Sequence, residues 1–388
     1  MTVHNTDWIV PRAQGYDTNR SLRDEIISGL ENVMFNPYMA GNSEFEPLES
    51  DFASKLGMKY AVAVQSATAG LILALRACDV GPGDEVITVG NSDISTTAAI
   101  SIIGATIVLV DILESDYTID GSQVASAVTD RTKAILPVDL YGHPSDCIAL
   151  RKVADEHGLK IIEDAALAIG ARYANHHVGF YSDLTIISLA ASKPLSSSGN
   201  AGMVVTDNLA LAEKISLFRG YGKEFDPSRT PPLSDDHVVE GFNLPMDPLQ
   251  AVVVHAKLPY LMDWTDKRKR IAGLYRSALL DKEVKLPTFS ENADPSFSSY
   301  VILSSRRDEL HNEMRKRRIE TGTHYAPAMH KQPVYRNNVI SGNSLPVTEQ
   351  VARELIALPV SHEMDAVSYT HLRAHETEAD LVCRLLLE

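Results

Sequence analysis

Three groups of residues carry most of the chemistry legible in the chain. Asp164 closes the run Lys160 to Ile162 that continues through Glu163. A carboxylate at the end of a buried strand is costly unless a cation pairs with it. Lys193 lies in LAASKPL, a loop of small residues after the strand ending at Ser188. A lysine held there could shed water and act as a Schiff-base amine. Ser66-Ala67-Thr68-Ala69 opens a helix, where backbone N–H groups and the helix dipole favour a phosphate. A phosphate cradle, a buried carboxylate and a lysine are together the parts that pyridoxal 5′-phosphate requires. Each also has an ordinary use. Asp164 could cap the following helix, Lys193 could be a surface lysine, and Ser66 and Thr68 are common N-cap residues.

The elements that must position these residues follow from apolar patterning. Short strands are expected at Lys59–Val64, Glu85–Val89, Thr106–Val110, Ala134–Val138, Lys160–Asp164, Leu184–Ser188 and Met203–Thr206. Helices are expected near Leu22–Val33 and over Glu46–Leu56, Gly70–Cys78, Ser95–Ile103 and Asp146–His157, the last ended by Gly158. Strands alternating with helices imply an α/β fold with a mostly parallel sheet. Ligands of such sheets sit at the carboxyl ends of strands, where Ser66, Asp164 and Ser188 fall. Pro245–Leu280 reads as a long helical region whose Lys267-Arg268-Lys269-Arg270 patch is a solvated face. The expected division is an N-terminal segment (1–45), a large domain (46–255) and a smaller α/β domain (256–366), with a helix near Asp308–Ile319.

The 388 residues carry a formal net charge of −15, with 44% hydrophobic and 22% charged residues. That apolar fraction builds a core and excludes disorder as the main state. The acidic balance argues against a nucleic-acid binder or a protein docked on an anionic membrane. Cys78, Cys147 and Cys383 form no CxxC pair, so neither a zinc site nor a disulfide framework is indicated, and no metal is expected. The Ala98–Ile112 stretch is too short and too interrupted to span a bilayer. The N-terminus lacks the pattern of a signal peptide, so the expected location is the cytoplasm.

Over nearly its whole length the chain resembles the DegT/StrS family of sugar aminotransferases. The stretches that carry the resemblance are SATAGLILALRACDVGPGDEVI, DLYGHPSDCIALRKVADEHGLKIIEDAALAIGA, SLAASKPLSSSGNAGMVVTDN, GFNLPMDPLQA and ETGTHYAPAMHKQPVY. The resemblance implies the pyridoxal-phosphate transferase fold of type I, aspartate-aminotransferase-like, with a large domain and a smaller C-terminal one. It implies that Lys193 binds the cofactor and shuttles the proton, and that Asp164 pairs with the pyridinium nitrogen. It further implies that Thr68, Ala69 and Ser188, beside Ser66, hold the phosphate. Asn243 matches a residue that reaches the neighbouring subunit's phosphate, which implies a homodimer with shared active sites. His324, Tyr325 and His330 match the segment near the sugar. The implied reaction is transamination of a nucleotide-linked keto-sugar from a donor such as glutamate or glutamine.

The chain also departs from the family pattern. Leu167 stands where glutamine or histidine is usual, and Asp93 where an aromatic residue stacks on the ring. Asn200-Ala201 replaces Glu-Gly, Pro245 replaces an arginine, and Ala67 replaces a glycine. Two alternatives stay open: the related sugar dehydratase, whose histidine in place of the lysine is at odds with Lys193, and a non-catalytic, cofactor-binding regulatory paralogue. Finally, Val367–Thr377 (VSYTHLRAHET) and Asp380–Glu388 (DLVCRLLLE) read as two successive parts of a translated sequencing adapter. The expectation is that residues 367–388 are not native, so that His371, His375 and Cys383 carry no function.

Overall fold

The structure, a computed structural model, describes residues 8, 10–11, 16–35, 45–223, 237–335, 339–341 and 344–364. The adapter-like tail, with His371, His375 and Cys383, lies outside the described residues.

In chain order the first elements are α1 (Tyr16–Ser21), α2 (Arg23–Phe35), α3 (Phe45–Leu56), β1 (Tyr60–Val64), α4 (Ala67–Ala77), β2 (Glu85–Val89), α5 (Ile94–Ile102) and β3 (Thr106–Val110). There follow α6 (Gly121–Ala127), β4 (Thr132–Ile135), α7 (Cys147–His157), β5 (Lys160–Asp164), β6 (Arg172–Tyr173), β7 (His176–His177), β8 (Leu184–Ser188), β9 (Gly202–Thr206) and α8 (Leu209–Arg219). The remainder is α9 (Pro248–Lys257), α10 (Leu261–Leu279), β10 (Ala293–Asp294), β11 (Tyr300–Leu303), α11 (Arg307–Lys316), β12 (Val339–Ser341), α12 (Pro346–Glu354) and β13 (Leu355–Leu358).

Eight strands form the main sheet in the order β1-β9-β8-β5-β4-β2-β3-β12. The six from β8 to β12 run parallel, whereas β9 lies antiparallel to both β8 and β1. Strands such as EVITV and LTIIS are buried along their whole length, as helices on both faces of a parallel sheet require. Side-chain caps fix where helices begin: Ser66 for α4, Asp93 for α5 and Asp146 for α7. Gly158 ends α7 at φ +68°, a left-handed conformation that glycine adopts without strain. The expected α/β fold with a mostly parallel sheet is the observed one.

Three features differ from expectation. The Pro245–Leu280 region is two helices, α9 and α10, separated by a 3-10 turn at Leu258–Tyr260. Pro259 has no N–H to continue the first helix. Within the basic patch Arg268 is buried, not solvated, and its Nη1 donates to the Val360 carbonyl at 2.8 Å. The pattern failed there because one residue of the patch faces inward, next to Ala272 on the same helix stripe. Last, the smaller unit does not hold all of the chain beyond residue 256. Its own β11–β13 pair packs with Ala272, Leu310 and Met314, but β12 returns to the main sheet and pairs parallel with β3. Among the described residues no helix is long and apolar enough to cross a membrane.

Candidate active site

Strand ends bring the site together. β5 and β8 are parallel neighbours and end at Asp164 and Ser188, with Asp164 opposite Ile186. Gly202, at the start of β9, lies opposite both Ser188 and Val64. Two residues after Val64, Ser66 opens α4. A cavity of about 200 Å³ is lined by Thr68, Asp164, Ser188 and Lys193, with Ser66 and Tyr325. Gly202 makes the close approach possible. A Cβ there would sit 2.6 Å from the Ser66 carbonyl carbon and 2.7 Å from the Ala67 nitrogen.

Asp164 is 4% exposed. Its Oδ2 accepts from Thr96 Oγ1 at 2.7 Å, and its Oδ1 accepts from the Ala166 amide at 3.2 Å. Thr96 in turn shares a 2.7 Å hydrogen bond with Ser92, another residue on the cavity. Burial pushes the Asp164 carboxyl above the usual carboxylate range, while Thr96, Ala166 and the Lys193 ammonium pull it back. A carboxylate so desolvated is stabilised by a cationic partner, and a protonated ring nitrogen is one.

Asp139, at the loop after β4, lies on the same cavity and is fully buried. Its Oδ1 accepts from the Ser145 amide at 2.8 Å. Burial and the adjacent Glu163 hold its carboxyl well above the ordinary range.

The phosphate end is arranged differently from the expectation in one respect. Ser66 Oγ accepts from the Ala69 amide at 3.1 Å as the N-cap of α4. Ala69 is buried and its N–H is already engaged, whereas Thr68 and Ser188 line the cavity. The α4 N-terminus, Thr68 and Ser188 supply the donors and field that a phosphate dianion needs. With a lysine and a desolvated carboxylate on the same wall, the residues present fit pyridoxal 5′-phosphate.

The remaining expected residues are dispersed. Tyr325 lines the cavity. His324 does not; its carbonyl accepts from Tyr141 Oη at 2.8 Å and its ring packs against Gly322. His330 lies off the cavity and pairs through Nε2 with Glu349 of α12 at 3.1 Å. Asn243 is exposed, forms a bridge with Gly220 and does not line this chain's cavity. Of the departures, Leu167, Asn200, Ala201 and Asp93 all face the cavity. Asp93 Oδ1 accepts from the Ser95 amide and from Ser95 Oγ, so the residue caps α5. Sequence reasoning missed Ser92, Thr96 and Asp139. The available signals were a hydroxyl residue within α5 and another just before its cap, and an aspartate that follows a strand just as Asp164 ends one.

Known proteins resemble this chain over most of its length. Residues 20–373 match the model of the DegT/DnrJ/EryC1/StrS aminotransferase family. A dTDP-3-amino-3,4,6-trideoxy-alpha-D-glucose transaminase from Streptomyces venezuelae is 37% identical over 345 residues, 89% of this chain and 89% of its own length. The X-ray structure of S. venezuelae DesV in complex with a ketimine intermediate superimposes with a TM-score of 0.89 at 35% identity, covering 96% of this chain and 98% of the other. The Bacillus subtilis ntda structure with bound cofactor PMP gives a TM-score of 0.83 at 26% identity, covering 97% and 84%.

Proposed function

The chain belongs to the DegT/DnrJ/EryC1/StrS aminotransferase family, and from that premise we propose that it aminates a nucleotide-linked keto-sugar. The enzyme class is a transaminase and the cofactor is pyridoxal 5′-phosphate. One observation carries the reading: Lys193, Asp164, Ser188 and Thr68 line a single cavity. The nucleotide-linked sugar is supported by the dTDP-sugar transaminase with which 89% of the chain aligns. The amino donor is glutamate or glutamine, and the product enters amino-sugar biosynthesis.

The bound cofactor supplies an electron sink for the pair released when a C–H bond beside the amine breaks. The protein's residues do the rest. Asp164 holds a proton on the ring nitrogen, with Thr96 and Ala166 fixing both carboxylate oxygens. Lys193 Nζ would take the proton from the donor carbon and return it, on the same face, to the cofactor-side carbon of that C–N unit, and its small-residue loop keeps it at the wall. Thr68, Ser188 and the α4 N-terminus bind the phosphate. Tyr325, on the cavity wall, orients the sugar. Asn243 reaches the phosphate of a second copy, so the working unit is a homodimer with shared sites. The enzyme works in the cytoplasm.

The test is spectroscopic. Purified protein loaded with pyridoxal 5′-phosphate should absorb visible light, bleach with glutamate and recover with a keto-sugar nucleotide. A visible band that no amino donor bleaches would refute transamination.

A further inference from the structure

The loop that carries Lys193 is held from outside by α9. Lys257, the last residue of that helix, is 1% exposed. Its Nζ donates to the Ser196 carbonyl at 2.7 Å and lies 3.2 Å from Ser196 Oγ. Leu195, Val254, Leu258 and Leu261, which flank this point in sequence, all belong to one apolar cluster. Burying an ammonium costs several kcal/mol, and a carbonyl offsets less of that cost than a carboxylate does. Burial lowers the Lys257 pKa to about 8, with the Glu363 carboxylate acting in the opposite sense. A lysine in such a place is expensive for packing alone, where a methionine would fill the same volume.

The same helix holds the loop a second time. Gln250 Oε1 accepts from the Ser198 amide at 2.9 Å. Gln250 and Lys257 are seven positions apart, which places them on one face and about 10 Å apart along the axis. The loop, residues 189–199, also closes on itself. The Lys193 amide donates to Ala190, the Ala191 amide to Gly199, and the Ser197 amide to Leu189, at 2.9, 2.9 and 2.7 Å.

We propose that Lys257 is a positioning residue for Lys193: its buried ammonium pins the Ser196 carbonyl and so fixes the loop that holds the Lys193 amine at the cavity. The inference rests on the role given to Lys193 above. It concerns geometry transmitted through three residues of main chain, and Lys257 itself touches neither cofactor nor substrate.

The test compares Lys257→Met, which keeps the stem and loses the donor, with Lys257→Gln, which keeps a donor. The readouts are cofactor affinity by titration, the pH midpoint of the visible band, and kcat against KM for glutamate. Lys257→Met should bind cofactor about tenfold more weakly, as loss of one charge-assisted hydrogen bond implies. Its kcat should fall about ten- to a hundredfold through misplacement of the amine, with KM little changed and the midpoint displaced. Lys257→Gln should recover part of each loss. Wild-type protein that shows the visible band, and Lys193→Ala that lacks it, establish the Lys193 reading separately. A folded Lys257→Met with wild-type affinity, midpoint and kcat would overturn the inference alone. Failure of both Lys257 variants to fold would assign the residue to the scaffold and also overturn it.

Discussion

Replacing Asp164 with asparagine isolates the electrostatic part of the mechanism. The side chain keeps its shape, its burial and an oxygen for one of the two donors, Thr96 Oγ1 and the Ala166 amide. It loses the negative charge proposed to face the ring nitrogen. Breaking a buried ion pair by removing one partner costs about 3–5 kcal/mol. At about 1.4 kcal/mol per factor of ten, that converts to a loss of roughly two to four orders of magnitude in the half-reaction with glutamate. Cofactor affinity should fall much less, because Thr68, Ser188 and the α4 N-terminus are untouched. The assay is stopped-flow bleaching of the visible band by glutamate, with affinity measured on the same preparation. A half-reaction within threefold of wild type would refute the assignment of Asp164. Thr96→Val, which removes one neutral donor from the same carboxylate, should slow the step by only about tenfold.

Gly202→Ala drives a Cβ into the Ser66–Ala67 peptide and should cost about 1–3 kcal/mol of stability together with cofactor affinity, read by thermal melting with and without cofactor. His330→Ala removes a part-exposed pair with Glu349, so kcat/KM should stay within about twofold and stability within about 1 kcal/mol; a hundredfold loss of kcat/KM would place His330 in the sugar site after all. His143 is buried against Phe289 and Phe297, and burial lowers its pKa from 6.5 to about 4. The unfolded chain then binds a proton that the folded chain refuses, so stability is full above pH 6.5 and falls as pH drops toward 4. Between pH 7 and 5 this residue alone should cost about 2 kcal/mol in urea unfolding, and His143→Gln should flatten that slope.

Much of the site was legible because strand ends announce themselves. β2, β3 and β8 fall on the expected residues, since each is a run rich in β-branched residues. Asp164 and Ser188 sit at such ends, and Lys193 follows in a loop whose small residues are themselves a signal. What escaped was long-range. Nothing local tells that Thr96 on α5 meets a carboxylate 68 positions away, or that Arg268 turns inward to a carbonyl 92 positions away. The antiparallel insertion of β9 between β1 and β8 is likewise a pairing choice that no single strand encodes. His330 is placed near the sugar by the resemblance alone, and no local pattern announces that its Nε2 pairs with Glu349 on α12. Asn243 is exposed and lies off this chain's cavity, and a single chain carries no sign of what it meets.

The central claim is that Lys193 is the amine that carries the cofactor. Borohydride reduction of the loaded protein, followed by peptide mass mapping, tests it directly. The account predicts one pyridoxyl label per chain, on Lys193 in the peptide between Ser188 and Gly202. A label on Lys257 or any other lysine, or no label at all, would contradict it.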